Sequence, residues 1–156
     1  MRKRINKEIL KINDDLDTGV QRKYSVSDEY LNHNDEICLD VLMWFEEYDH
    51  VANIEVILPK SYPWRQPKIN VGQYNYSHLL KVDVDYLKIL GYKSNCMCCS
   101  SMLCKSWVPM NRISQVLDEV YENLIFKKKV INLIHCIKIA KKYLNNDIIS
   151  VLSVFL

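Results

Sequence analysis

Two stretches of this sequence, EICLDVLMWF at 36–45 and VANIEVILP at 51–59, carry apolar residues at every second position. Ile37, Leu39, Val41 and Met43 share one face of the first, and Ile54, Val56 and Leu58 share one face of the second. A period of two belongs to extended chain, where successive side chains point to opposite faces. Both stretches are therefore expected as strands of an antiparallel sheet with one face buried. KINV at 68–71 can supply a further strand. Between them SYPWRQP, at 61–67, carries prolines at 63 and 67. Each proline fixes φ and lacks an amide hydrogen, so this segment cannot be helix interior and runs irregular or extended.

Helical periodicity brackets the strands. RKRINKEILKI at 2–12 sets Ile5, Ile9 and Ile12 on one face at spacings of four and three, with Lys and Arg opposite. After Pro109, Asn111 is a fair N-cap, and Ile113, Val116, Leu117, Val120 and Leu124 form a helical stripe. A second helical pattern over 129–144 aligns Leu133, Ile137, Ala140 and Leu144; His135 and Cys136 are expected in its core stripe, and the lysines at 127–129 at its solvated start. Residues 72–106 show little periodicity and read as a long irregular segment. The order of helix, antiparallel strands, irregular segment and two or more helices predicts an α+β class, with a sheet of about four strands.

At 156 residues the chain has room for one domain with a real core, here residues 1–156. Charged residues make up 26%, the profile of a soluble globular protein, and a net charge of +2 gives no general reason to expect nucleic acid. The basic opening MRKR is followed by mixed polar residues, so a secretory signal is not expected. The terminal IISVLSVFL is apolar for nine residues, about half a membrane span, and is expected to dock in a groove of its own domain or on a partner. No membrane partner is expected. These features predict a reducing compartment, cytoplasmic or nuclear. The six cysteines, at 38, 96, 98, 99, 104 and 136, are then expected as thiols, with disulfides the least favoured reading.

Four separated stretches also line up with one family. KRINKEI near the start, ILPKSYPWRQPKI in the middle, Cys99, and WVPMNRISQVL after it resemble the ubiquitin-conjugating enzymes, which have the UBC-like fold. That family opens with a helix reading roughly K-R-I-x-K-E-L and follows a strand with P-x-x-Y-P-x-x-x-P, matched by Pro59, Tyr62, Pro63 and Pro67. Its active-site cysteine lies eight residues before the tryptophan of W-x-P-x-x-x-I-S-x-V-L, and eight before Trp107 is Cys99. The resemblance spans about three quarters of the chain.

The resemblance implies a transferase that takes ubiquitin or a ubiquitin-like modifier from an activating enzyme as a thioester, then passes it to a lysine or a ligase. Cys99 would be the nucleophile, a role that suits a thiolate near neutral pH. Lys105, Arg112 and the helix start near 111 would favour its ionised form. The family draws an oxyanion donor from an H-P-N tripeptide eight to ten residues ahead of the cysteine; here those positions read ILG. Asn95, four before Cys99, or a backbone amide is expected in its place. Ser101 stands where the family often has an Asp or Ser beside the incoming amine. The ligase-facing surface, of RING type or another, would combine Lys3, Arg4, Trp64, Pro109 and Met110, with Trp64 as the anchor.

Plainer readings stand beside these. Free cysteine is usually a buried small hydrophobe. In extended chain only one of Cys98 and Cys99 can face a groove, and the family register selects Cys99. Trp107 is expected as packing, and His78 as a structural hydrogen-bonder. No cofactor is implied by the resemblance, but zinc is an alternative: Cys96, Cys98, Cys99 and Cys104 could supply four thiolates, with His78 or a second chain as substitutes. The transferase and zinc readings compete for one sulfur. The runner-up function is a catalytically silent UBC-variant or RWD-like interaction module whose cysteine cluster is structural or binds zinc.

Overall fold

In the computed structural model, which describes residues 1–14, 23–89, 96–104 and 106–143, the two alternating runs pair with each other. β2 (Ile37–Phe45) and β3 (His50–Leu58) are antiparallel, with Leu39 opposite Val56 and Val41 opposite Ile54. A 3-10 turn at Glu46–Tyr48 joins them and ends at Asp49, whose φ of 45° is the left-handed conformation that aspartate tolerates better than most residues. β1 (Tyr24–Leu31) pairs with the other edge of β2, and β4 (Lys68–Val71) with β3. β5 (Tyr74–Asn75) closes a tight turn onto β4 through Gly72, at φ +55°. The sheet is antiparallel throughout, in the order β1 to β5.

One face of the sheet makes the core. Ile37, Leu39, Val41, Met43 and Phe45 of β2, with Ile54, Val56 and Leu58 of β3, are all buried. They form one cluster with Ile5 and Ile12 of α1 (Arg2–Asp14) and with Ile113, Val116, Leu117 and Val120 of α4 (Ile113–Tyr143). Helices against one face of an antiparallel sheet is the α+β arrangement.

Three features depart from the sequence reading. The sheet has five strands, of which β1 and β5 were not located in the sequence: only the first three residues of β1 are even half-buried, so it carries no buried alternation to read, and β5 is two residues long. The segment after β4 holds α2 (Tyr76–Leu79) and α3 (Val84–Ile89), each too short to show a helical period. The expected helices after Pro109 are one continuous helix of 31 residues, since nothing between Leu124 and Val130 breaks a helix. Its buried face ends near Leu133. His135 and Cys136, expected in the core, are exposed, and Ile139 is 61% exposed. Lys127 lies mid-helix rather than at a start and donates to the Lys81 carbonyl at 3.0 Å; burial lowers its pKa. The apolar terminal segment lies outside the described residues. Among the described residues, no helix is long and apolar enough to cross a membrane.

The other sheet face carries a row of acids. Asp40 on β2 pairs with Asp28 on β1 and with Glu55 on β3. Partial burial, then Glu55 and Asp28, push the Asp40 carboxyl up from its usual range. Like charges directly opposite one another destabilise a sheet, so Asp40→Asn is expected to add about 0.5–1 kcal/mol at pH 7. The sign follows from linkage. An acid whose folded pKa is raised costs stability once the unfolded chain ionises, so the gain should vanish below about pH 4, where the carboxyls are protonated in both states. Urea melts of both proteins at pH 7 and pH 3.5 check this; an equal gain at both would assign it to packing instead.

Candidate functional site

The site grows from two clamps that draw distant loops together. The first centres on Glu8 of α1. Its Oε1 accepts from Arg4 Nε at 2.7 Å, and its Oε2 accepts from the backbone amide of Ile113, the first residue of α4, also at 2.7 Å. The Tyr62 hydroxyl donates to the same carboxylate at 3.3 Å. Burial, then Glu8, hold the Tyr62 phenol well above its usual range, so it stays a donor. Arg4 spends its other nitrogens on the carbonyls of Pro109, at 2.6 Å, and Asn111, at 2.8 Å, while its guanidinium lies 5.5 Å from the Tyr62 ring centre. The Trp107 indole donates to the Pro63 carbonyl at 2.8 Å, just past the cis Tyr62–Pro63 bond. One polar network thus ties α1, the Tyr62–Trp64 turn, the Trp107–Asn111 loop and the start of α4.

The second clamp is Glu119 of α4. Its carboxylate accepts from the Ser101 hydroxyl at 2.5 Å, the Met102 amide at 2.7 Å and the Tyr76 hydroxyl at 3.4 Å. Ser101 is 2% exposed. Its hydroxyl oxygen also accepts from the Leu103 amide at 3.1 Å, which sets the turn that follows the cysteines. A carboxylate taking two or three hydrogen bonds is a firm anchor for an irregular segment.

The cysteines sit on that anchored segment. Cys98–Ser100 form a 3-10 turn, with Cys99 exposed and outside any disulfide. Cys96 and Cys98 are joined as a disulfide, which corrects the expectation of thiols alone: the bend before the turn brings their Cα atoms to 5.4 Å, within reach of a bridge. Cys99 Sγ lies 4.0 Å from Cys98 Sγ. A groove of about 360 Å³ runs alongside, lined by Pro67, Lys68, Asn75, Ser77, Cys98 and Cys104 among others. Cys98, not Cys99, lines it. The alternation argument assumed extended chain, and a 3-10 turn breaks that alternation.

The expected site residues separate accordingly. Cys99 is exposed and does not line the groove. Asn95 and Lys105 lie outside the described residues. Ser101, expected beside an incoming amine, is buried and donates its hydroxyl to Glu119. Lys3 is exposed, Trp64 is 79% exposed and Met110 is 86% exposed, while Pro109 is half-buried. Arg4, expected on the partner face, is instead committed to Glu8 and two carbonyls, with its side chain 34% exposed. Trp107 packs against the core as expected. His78 is exposed on α2. Of the four proposed zinc ligands, Cys96, Cys98 and Cys99 cluster, with their sulfurs within 4.8 Å of one another, and Cys104 is not in that group.

Glu8 and Glu119 escaped the sequence reading. A signal for Glu8 was present, since it stands four residues after Arg4 on a helix, where the two side chains can pair. Glu119, between the buried Val116 and Val120, carried no local mark of its partners. Comparison with protein-family models, with curated proteins and with solved structures finds no match to this chain.

Proposed function

We propose that the chain is a divergent ubiquitin-conjugating-type transferase with the UBC-like fold, acting through Cys99. One observation carries this reading: an exposed thiol, eight residues before Trp107, sits just ahead of the Ser101–Met102 segment that Glu119 anchors and next to Cys98, which lines a groove. In the transfer, the Cys99 sulfur attacks the carbonyl of a modifier thioester on the activating enzyme. A new sulfur–carbon bond forms and the activating enzyme's thiolate leaves. Attack by a substrate amine or ligase thiol then breaks the Cys99 bond. The oxyanion formed in each step needs a donor; Asn95 or a backbone amide would supply it, and Asn75 and Ser77, which line the groove, are further candidates. Lys3, Trp64 and Met110 offer a ligase an exposed apolar and basic surface, which the Arg4–Glu8 clamp holds in place.

The test is thioester formation. Reduced protein, freed of reductant and mixed with activating enzyme, modifier and ATP, is expected to give an adduct on a non-reducing gel that thiol reductant removes. Cys99→Ala should abolish it, Cys98→Ala and Cys104→Ala should retain it, and Cys99→Lys should trap a reductant-resistant adduct. Persistence of the adduct in Cys99→Ala removes the assignment. The second reading, a silent interaction module, draws on the groove being lined by Cys98 in a disulfide and on the inward-facing Ser101. For that module no adduct forms with any variant.

A further inference from the structure

The segment 96–99 brings three sulfurs together where a single disulfide can use only two. We propose that in the reduced chain Cys96, Cys98 and Cys99 form a three-thiolate zinc site. Among the described residues, these are the ones whose sulfurs converge, all within 4.8 Å of one another. Two sulfurs bound to one tetrahedral zinc, each about 2.3 Å from the ion, stand about 3.8 Å apart. Cys98 and Cys99 are at 4.0 Å, close to that spacing, and the Cys96 sulfur has only to swing away from Cys98 once their bridge is reduced. The spacing C-x-C-C is unlike the paired knuckles of most structural zinc sites, and the local fold explains how it can still serve. The bend at Met97, which is fully buried, and the 3-10 turn after it fold the chain back on itself, so that residues one and two apart present their sulfurs to one point. Cys99 is exposed, which leaves the fourth coordination position to solvent.

The chemistry balances without a further partner. A phosphine or dithiol reductant supplies two electrons and, with two protons, converts the Cys96–Cys98 bridge into two thiols. Zinc then displaces the thiol protons as its sulfur bonds form, so affinity falls as pH drops. The oxidised chain has lost two of three ligands and binds no zinc there. Occupancy also takes the Cys99 sulfur and stops thioester formation; that consequence rests on the transferase reading, whereas the site itself does not.

The full chain, reduced with a phosphine, is titrated with Zn²⁺ against a chromophoric chelator and with Cd²⁺ followed by thiolate-to-metal charge-transfer absorbance. One equivalent is expected per chain. Cys96→Ser, Cys98→Ser and Cys99→Ser should each weaken binding by more than the ~10–100-fold that a group touching only a ligand contributes. Cys104→Ser and Cys136→Ser should leave it unchanged, and circular dichroism should show every variant folded. Absence of binding by the reduced chain, binding that survives Cys99→Ser, or binding that depends on Cys104 or Cys136 overturns the proposal. The titration contains no modifier or activating enzyme, so a failed thioester assay with intact zinc binding removes only the transferase reading.

Discussion

Replacing Glu8 with alanine is expected to destabilise the protein by about 2–4 kcal/mol, because three donors lose their acceptor at once. The carboxylate is 12% exposed and receives Arg4, the Tyr62 hydroxyl and the Ile113 amide. That amide is one of the orphan donors at the start of α4, where a negative charge is also favourable. Without Glu8, the Arg4 guanidinium keeps two carbonyls but has no counter-charge in the clamp. Breaking a buried ion pair costs about 3–5 kcal/mol, and the partial exposure of Arg4 places this case below the top of that range. For a 3 kcal/mol loss in a chain of this size, the melting temperature should fall by about 6–12 °C. Glu8→Gln should cost less, since its amide oxygen can still accept from Ile113. A melting temperature within 2 °C of the parent for Glu8→Ala would show that the clamp is not holding the loops.

The second large effect is expected at Glu119. Removing its carboxylate leaves the buried Ser101 hydroxyl and the Met102 amide without their acceptor, for a cost of about 2–3 kcal/mol. Here the local consequence matters more than the global one. Among the described residues, Glu119 is the long-range polar tie on the turn that follows the cysteines, whose other bonds at Leu103 and Cys104 are made within the turn itself. Amide exchange at Met102 should therefore speed up by about 30-fold or more, the factor that corresponds to 2 kcal/mol. Glu119→Gln should preserve most of the protection, because an amide oxygen can replace the carboxylate toward Met102. Equal exchange at Met102 in Glu119→Ala and in the parent would show that the segment is positioned by other means. Alkylation of Cys99, followed in the same samples, reads whether the thiol moves with the turn.

The elements legible in the sequence are those with one wet and one dry face. α1 showed its Ile5–Ile9–Ile12 stripe, and β2 and β3 showed their alternation, because half-burial writes a period into the residues. β1 lacked such a face and went unseen. α4 was read as two helices because its stripe changes phase where the helix leaves the core near Leu133, not because the helix stops. The site divides the same way. Trp64 and Met110 were expected on an exposed partner face from the family resemblance, and both are exposed. Arg4 shows the limit: a basic residue on a basic face looked free for a partner, yet its neighbours across the fold claim it.

What the residues alone determined is local and periodic: which runs extend, which coil, where prolines forbid a helix, and that four cysteines crowd into nine positions. What only the tertiary structure decided is which polar groups find one another across long separations in the chain. Glu8 meets Ile113, Glu119 meets Ser101 and Met102, and Cys98 rather than Cys99 lines the groove. The reason is physical. Hydrophobic burial depends on a pattern that repeats every two or every three to four residues and survives small changes of path. A hydrogen bond depends on a single distance and direction, which exist only once the whole chain has closed.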